Sequence, residues 1–126
     1  MKITKKLVCF GLLSCCFAAP ELYAAENCSG LWVQVGTTVV IFDDDHNAPG
    51  HMAVGVCDAR TPRCTYTDRG GDTWTDDVSV AGLWKTVSGT GKYANQKSSG
   101  WSRTARIEYR PEGRVYVGAW GGECSR

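Results

Sequence analysis

From residue 26 onward the chain carries no run with the three-to-four-residue apolar spacing of an amphipathic helix, and this excludes every fold that relies on helices. Short runs rich in Val, Thr, Trp and Tyr alternate instead with clusters of Gly, Pro, Asp and Asn. Branched and aromatic side chains suit a pleated, half-buried surface, and the small polar residues supply the turns between strands. Residues 31–35 and 37–42 read as one first strand, bent at Gly36. A polar loop over 43–50 leads to a strand at 52–58, which pairs back with 63–68 as a hairpin. The tight turn Arg69-Gly70-Gly71-Asp72 precedes a strand at 73–76, and 79–88 reads as a further strand bent near Gly82. A glycine-marked loop fills 89–99. In 101–109, Trp101, Arg103, Ala105, Ile107 and Tyr109 share one face. Arg110-Pro111-Glu112-Gly113 has Pro and Gly where a turn favours them, and 114–120 is the last strand. Strands at this spacing without intervening helices predict an all-β fold: a small up-and-down antiparallel β-barrel of about eight strands, with a β-sandwich as the alternative.

The N-terminal segment has a different logic. Lys2, Lys5 and Lys6 precede an uncharged apolar run over 7–19, then Pro20 and the small residues Ala24 and Ala25. That order predicts a secretory signal peptide over 1–25, cleaved near Ala24 or Ala25, and a single domain over 26–126 that is secreted or periplasmic. The apolar run is too short for a stable membrane anchor, so no membrane span is expected in the mature protein. Leu12-Leu13-Ser14-Cys15 loosely resembles a lipoprotein box and ranks below ordinary cleavage. Cys9, Cys15 and Cys16 leave with the leader, while Cys28, Cys57, Cys64 and Cys124 remain. An even number of cysteines in an oxidising compartment predicts two disulfides. Of three pairings, Cys57–Cys64 across a Thr61-Pro62 turn and Cys28–Cys124 tying first strand to last are favoured over a zinc site. Of the 14 Lys/Arg three lie in the leader, and of the 13 Asp/Glu one does, which leaves a mature net charge of −1. That balance is not that of a nucleic-acid binder. Acids concentrate before residue 83 and bases after it, so pairing of charges between the halves is expected.

The most specific segment is Gly89-Thr90-Gly91-Lys92-Tyr93 within 84–95, with Gly100 following. It resembles the glycine-marked hairpin of the allene oxide cyclase and dirigent barrel superfamily, and is similar to small exported bacterial proteins of uncharacterised function. Ser88 stands where that superfamily commonly has glycine, and Gly100 falls slightly late. The resemblance implies an eight-stranded antiparallel barrel with an apolar interior cavity. Some members cyclise a fatty-acid epoxide and others orient phenoxy radicals, but their catalytic motifs have no counterpart here. Gly30-Leu31-Trp32, with Gln34 and Gly36-Thr37, looks like the opening strand of the calycin barrels, where the tryptophan plugs one end. A phosphate-cradling loop at 89–92 is discounted, because neither the following helix nor the Lys-Ser/Thr ending is present.

Two acidic segments invite metals. Asp43, Asp45 and Asn47 alternate as in a calcium loop, but Ala48 replaces the turn glycine and no glutamate closes the loop. Asp43, Asp45 and His46, with His51, are therefore weak ligands for a divalent or transition metal, and a solvated turn is the simpler expectation. Asp68, Asp72, Asp76 and Asp77 flank the Gly70-Gly71 turn and could likewise gather a cation. No serine lies in a nucleophile-elbow context, and no pair among the many carboxylates stands out. No cofactor is called for. The resulting expectation is an exported barrel that binds a small apolar or amphipathic ligand through Trp32, Trp74, Trp84, Trp101 and Trp120. The alternatives are an envelope structural, interaction or inhibitor domain, and a cyclase or isomerase with one ionisable group buried in its cavity.

Overall fold

The computed structural model describes residues 26–125, and the leader expected over 1–25 lies outside them. Eight strands close into one antiparallel barrel: β1 (Cys28–Val35), β2 (Thr38–Asp43), β3 (Met52–Asp58), β4 (Arg63–Asp68), β5 (Thr73–Asp77), β6 (Leu83–Gly89), β7 (Ser99–Arg110) and β8 (Gly113–Glu123). Each strand pairs with its chain neighbour, and β1 pairs with β8 to complete the ring. The barrel, not the sandwich, is the fold. Among the described residues the one helical element is a 3-10 turn, Gly91–Tyr93, inside the expected glycine-marked loop.

Three sequence expectations are corrected. Residues 31–42 are not one bent strand but a hairpin, in which Val35 pairs with Thr38 across a two-residue loop. Gly36 has φ +61°, the left-handed backbone that such a loop requires. Residues 79–82 are not strand: the Asp77 carboxylate accepts the Ser79 amide N–H at 2.9 Å, the Leu83 amide donates to the Val80 carbonyl, and β6 starts only at Leu83. The even alternation expected over 101–109 breaks at a bulge between Thr104 and Arg106. Trp101 and Arg103 thus share the outer face with Arg106 and Glu108, while Ser102 and Thr104 turn into the barrel.

Inside the barrel, large rings stand opposite glycines. Trp32 pairs with Gly118, Trp120 with Gly30, Tyr66 with Gly55, Trp74 with Gly89 and Trp84 with Gly100. A Cβ on Gly55 would lie 2.5 Å from Tyr66 Cε1, and one on Gly100 would lie 2.7 Å from Trp84 Cζ2. The glycines let each ring lie down over the facing strand, which fits five large aromatics into so narrow a barrel. The rings then meet one another: Tyr66 stacks on Trp74 at 5.2 Å, Trp74 packs on Tyr93 at 4.7 Å, and Trp84 meets Trp120 edge-on at 6.0 Å. Such pairs add about 1 kcal/mol each beyond their buried area.

Two disulfides staple the barrel. Cys57–Cys64 joins directly paired residues of β3 and β4, and Cys28–Cys124 ties the start of β1 to the chain after β8. Both are the favoured pairings, and they fit an oxidising compartment. The segment Gly89–Tyr93 latches one barrel end. Lys92 Nζ lies 2.9 Å from Asp68 Oδ2 and 3.0 Å from Asp72 Oδ2, and the Tyr93 hydroxyl donates to Asp68 Oδ2 at 2.8 Å. Burial raises the Asp68 pKa, but the Lys92, Tyr93, Gly70 and Asp72 donors outweigh it and hold the carboxyl below the usual range. Two acids expected to gather a cation therefore clamp the chain's own lysine, a pairing between the acidic and basic halves.

The outer surface is divided. Rows across β8, β1, β2 and β3 read Ala119–Leu31–Phe42–Met52 and Val117–Val33–Val40–Val54. Leu31, Val54 and Val56 are about half exposed, at 54%, 47% and 59%. The outer faces of β4 and β5 carry Thr65, Thr67, Thr73 and Thr75 instead.

Candidate functional site

The rings do not fill the barrel. A cavity of about 450 Å³ remains, walled by Trp32, Trp74, Trp84, Trp120, Tyr66 and Ile41 among others. No large side chain is completely buried among the described residues, because the core faces this space instead of closing on itself. One end is sealed by Tyr93, 6% exposed, and by Ala48, 8% exposed, in the loop after β2. The other end gathers the turns between β1 and β2, β3 and β4, and β5 and β6, where Gln34, Asp58, Arg63 and Val78 line the rim.

Three of the four cavity tryptophans have their N–H groups committed to backbone carbonyls. Trp32 Nε1 donates to the Ala119 carbonyl at 3.2 Å, Trp84 Nε1 to Trp101 O at 3.0 Å, and Trp120 Nε1 to Phe42 O at 3.1 Å. These bonds fix the indoles so that ring faces, not donors, meet the cavity. Four of the five expected tryptophans are brought together here. Trp101 is the exception: it lies on the outer face, where its Nε1 donates to Glu26 Oε2 at 2.9 Å and Arg103 stacks on its ring at 4.7 Å. The bulge after Thr104 does not move it, since Trp101 neighbours the inward Gly100 and strand alternation alone turns it outward.

Sequence reasoning named Asp76 only among the acids flanking the Gly70-Gly71 turn, and placed neither it nor Thr86, Gln96 or Tyr66 in a cavity. Asp76 of β5 is 5% exposed, and its Oδ1 accepts a hydrogen bond from the Thr86 hydroxyl at 2.8 Å. The Gln96 amide donates in turn to Thr86 Oγ1 at 3.4 Å. Burial pushes the Asp76 carboxyl up to about 6, against hydrogen bonds from Thr86 and Trp74 that pull the other way. Burial and the nearby Asp76 charge together drive the Tyr66 phenol well above its ordinary range. Among the described residues no hydrogen bond satisfies the Tyr66 hydroxyl, although Tyr66 is only 7% exposed. One signal was available: Trp74 and Asp76 are two apart in a strand, so an inward Trp74 carries Asp76 inward with it.

The metal candidates do not converge. Asp43 Oδ1 accepts the Asp45 amide N–H at 2.7 Å, and Asp45 Oδ1 accepts the Asn47 amide at 2.9 Å. His46 Nδ1 meets His51 Nε2 at 3.1 Å, and His51 Nδ1 meets the Asp43 carbonyl at 2.6 Å. These side chains fold the loop that seals the barrel end. Among the described residues no group of three or more His, Cys, Asp or Glu is placed to hold a metal ion. No described helix is long and apolar enough to cross a membrane. No family model, curated protein or solved structure matches this chain.

Proposed function

We propose that the protein is an exported binding barrel that holds a small amphipathic molecule in its interior. The observation that carries this reading is the aromatic-walled cavity of about 450 Å³, within the size range of small-molecule pockets, with a few polar groups converging on it. An empty apolar space of that size forfeits packing contacts that a filled core would make, and evolution toward stability alone would fill it. Three indoles, Trp32, Trp84 and Trp120, pinned by their N–H groups form a rigid wall, which lowers the entropy cost of binding a flat or aliphatic body. The barrel that the Gly89–Gly100 resemblance implies supports the same reading. The test is native mass spectrometry of the oxidised mature protein as isolated, followed by tryptophan-fluorescence titration with apolar and amphipathic probes. Saturable binding that is lost in Ile41→Trp, which fills the cavity, is expected. Titrations identical in the wild type and that variant would refute interior binding.

A second reading rests on the outer face of β8, β1, β2 and β3. Its rows form an apolar patch four strands wide and roughly five residues long, about 300 Å² in flat projection from strand spacings. A monomer's largest apolar patch is commonly of about this size and is often functional. We infer that a second copy of the chain covers it. An apolar β face can pair with its own copy about a two-fold axis, and with its rim it supplies the apolar centre of an interface of about 800 Å² per partner.

A further inference from the structure

We propose that the ligand of this cavity is an organic cation, an amphipathic amine or quaternary ammonium, whose charged group sits against Asp76 within the aromatic wall. This inference rests on the interior-binding reading above and adds the chemical class of the ligand.

The geometry separates charge from apolar surface. The carboxylate is held in place by Thr86 of β6, and Thr86 is backed by Gln96 from the segment after the 3-10 turn. Tyr66 of β4 faces the same point, with its hydroxyl unused among the described residues. Among the described residues nothing cationic answers Asp76 from inside. Arg63 and Lys85 act on the neighbouring Asp77, whose side chain lies on the opposite face of β5, and Lys92 is committed to Asp68 and Asp72. The charged groups sharing the cavity lining are Asp43, Asp58, Arg63 and Lys92, so acids outnumber uncommitted bases. An anionic ligand would meet this carboxylate and would find no free indole N–H to bind it. A cation instead meets the negative faces of several aromatic rings and one desolvated carboxylate, the combination by which aromatic cages hold ammonium groups. The raised pKa of Asp76 agrees: burial without a counter-ion favours the protonated carboxyl, and a bound cation relieves that.

The experiment uses two probes of equal shape, phenyltrimethylammonium and tert-butylbenzene, titrated into the oxidised mature protein and followed by tryptophan fluorescence. At pH 7.5 the ammonium is expected to bind at least about tenfold more tightly than its neutral counterpart. At pH 5, a full unit below the Asp76 value of about 6, about nine-tenths of the carboxyl is protonated and ammonium affinity falls about tenfold. The neutral probe stays unchanged. Asp76→Asn, which keeps the shape and the acceptor for Thr86, should abolish the preference and the pH dependence while leaving tert-butylbenzene binding within about twofold. Equal binding of both probes at pH 7.5 overturns the charge assignment and leaves interior binding standing. Binding of neither probe overturns both. An ammonium preference that persists in Asp76→Asn, or at pH 5 in the wild type, shows that a group other than Asp76 recognises the charge.

Discussion

Replacing Asp76 by Asn should make the protein more stable at neutral pH. In the barrel the Asp76 carboxyl has a pKa of about 6, against 3.8 for an ordinary aspartate such as that in the unfolded chain. The native state therefore holds its proton more tightly, and stability falls as pH rises through the window from about 4 to 6. Below that window the residue is protonated in both states and costs nothing. Above it the full penalty applies, about 3 kcal/mol at pH 7.5, shrinking to a small fraction of that at pH 4. The side chain is 5% exposed, so solvent screening removes little of this. Asparagine carries no charge to desolvate and still accepts from Thr86. The assay is urea unfolding of oxidised wild type and Asp76→Asn at pH 4 and 7.5. A gap of 2–3 kcal/mol would appear as a midpoint shift of about 2 M at pH 7.5 and nearly vanish at pH 4. Using the difference between the two proteins cancels other titrating groups, notably Asp68, whose lowered pKa makes its stabilisation fade only as the pH drops below the ordinary aspartate range. A gap equal at both pH values, or an Asn variant less stable at pH 7.5, would refute the premise that the ionised carboxylate is uncompensated. A residue that costs this much stability and is nonetheless present is most economically explained by a ligand.

Further outcomes follow from the same coordinates. Gly118→Ala drives a methyl group into the Trp32 ring and should cost about 3 kcal/mol and alter the near-ultraviolet circular dichroism of the tryptophans, whereas Gly36→Ala, in open space at φ +61°, should cost only about 1 kcal/mol. Chain-entropy arithmetic makes removal of Cys28–Cys124, which spans 96 residues, worse than removal of Cys57–Cys64, which spans 7, by about 2 kcal/mol in chemical denaturation of the paired Cys→Ser variants. If a second copy covers the outer face, light scattering will give a dimer mass for the wild type and a monomer for Val54→Glu with unchanged circular dichroism; a wild-type monomer at high micromolar concentration would end that reading.

Much of this was decided by local chemistry in the chain. The turn residues Gly70-Gly71 and Pro111-Glu112-Gly113 stop strands where they occur, and β3 and β4 match their expected limits because alternation and turn signals agree there. The two disulfides follow from loop length and from which strands must end a closed ring. At Gly36 local chemistry misleads, since a bend and a reversal need the same glycine; only pairing of Val35 with Thr38 distinguishes them. What the tertiary structure alone decided is which face of each strand looks inward. A period of two assigns residues to faces but does not say which face is the core, so Trp101 and Trp84 were equivalent in sequence and opposite in space. The pairing of each interior ring with a glycine on the next strand is likewise a matter of register between distant segments, as with Trp32 and Gly118. The same closure that buried those rings carried Asp76 out of water beside them, and made a turn-flanking aspartate into a buried acid of an aromatic chamber.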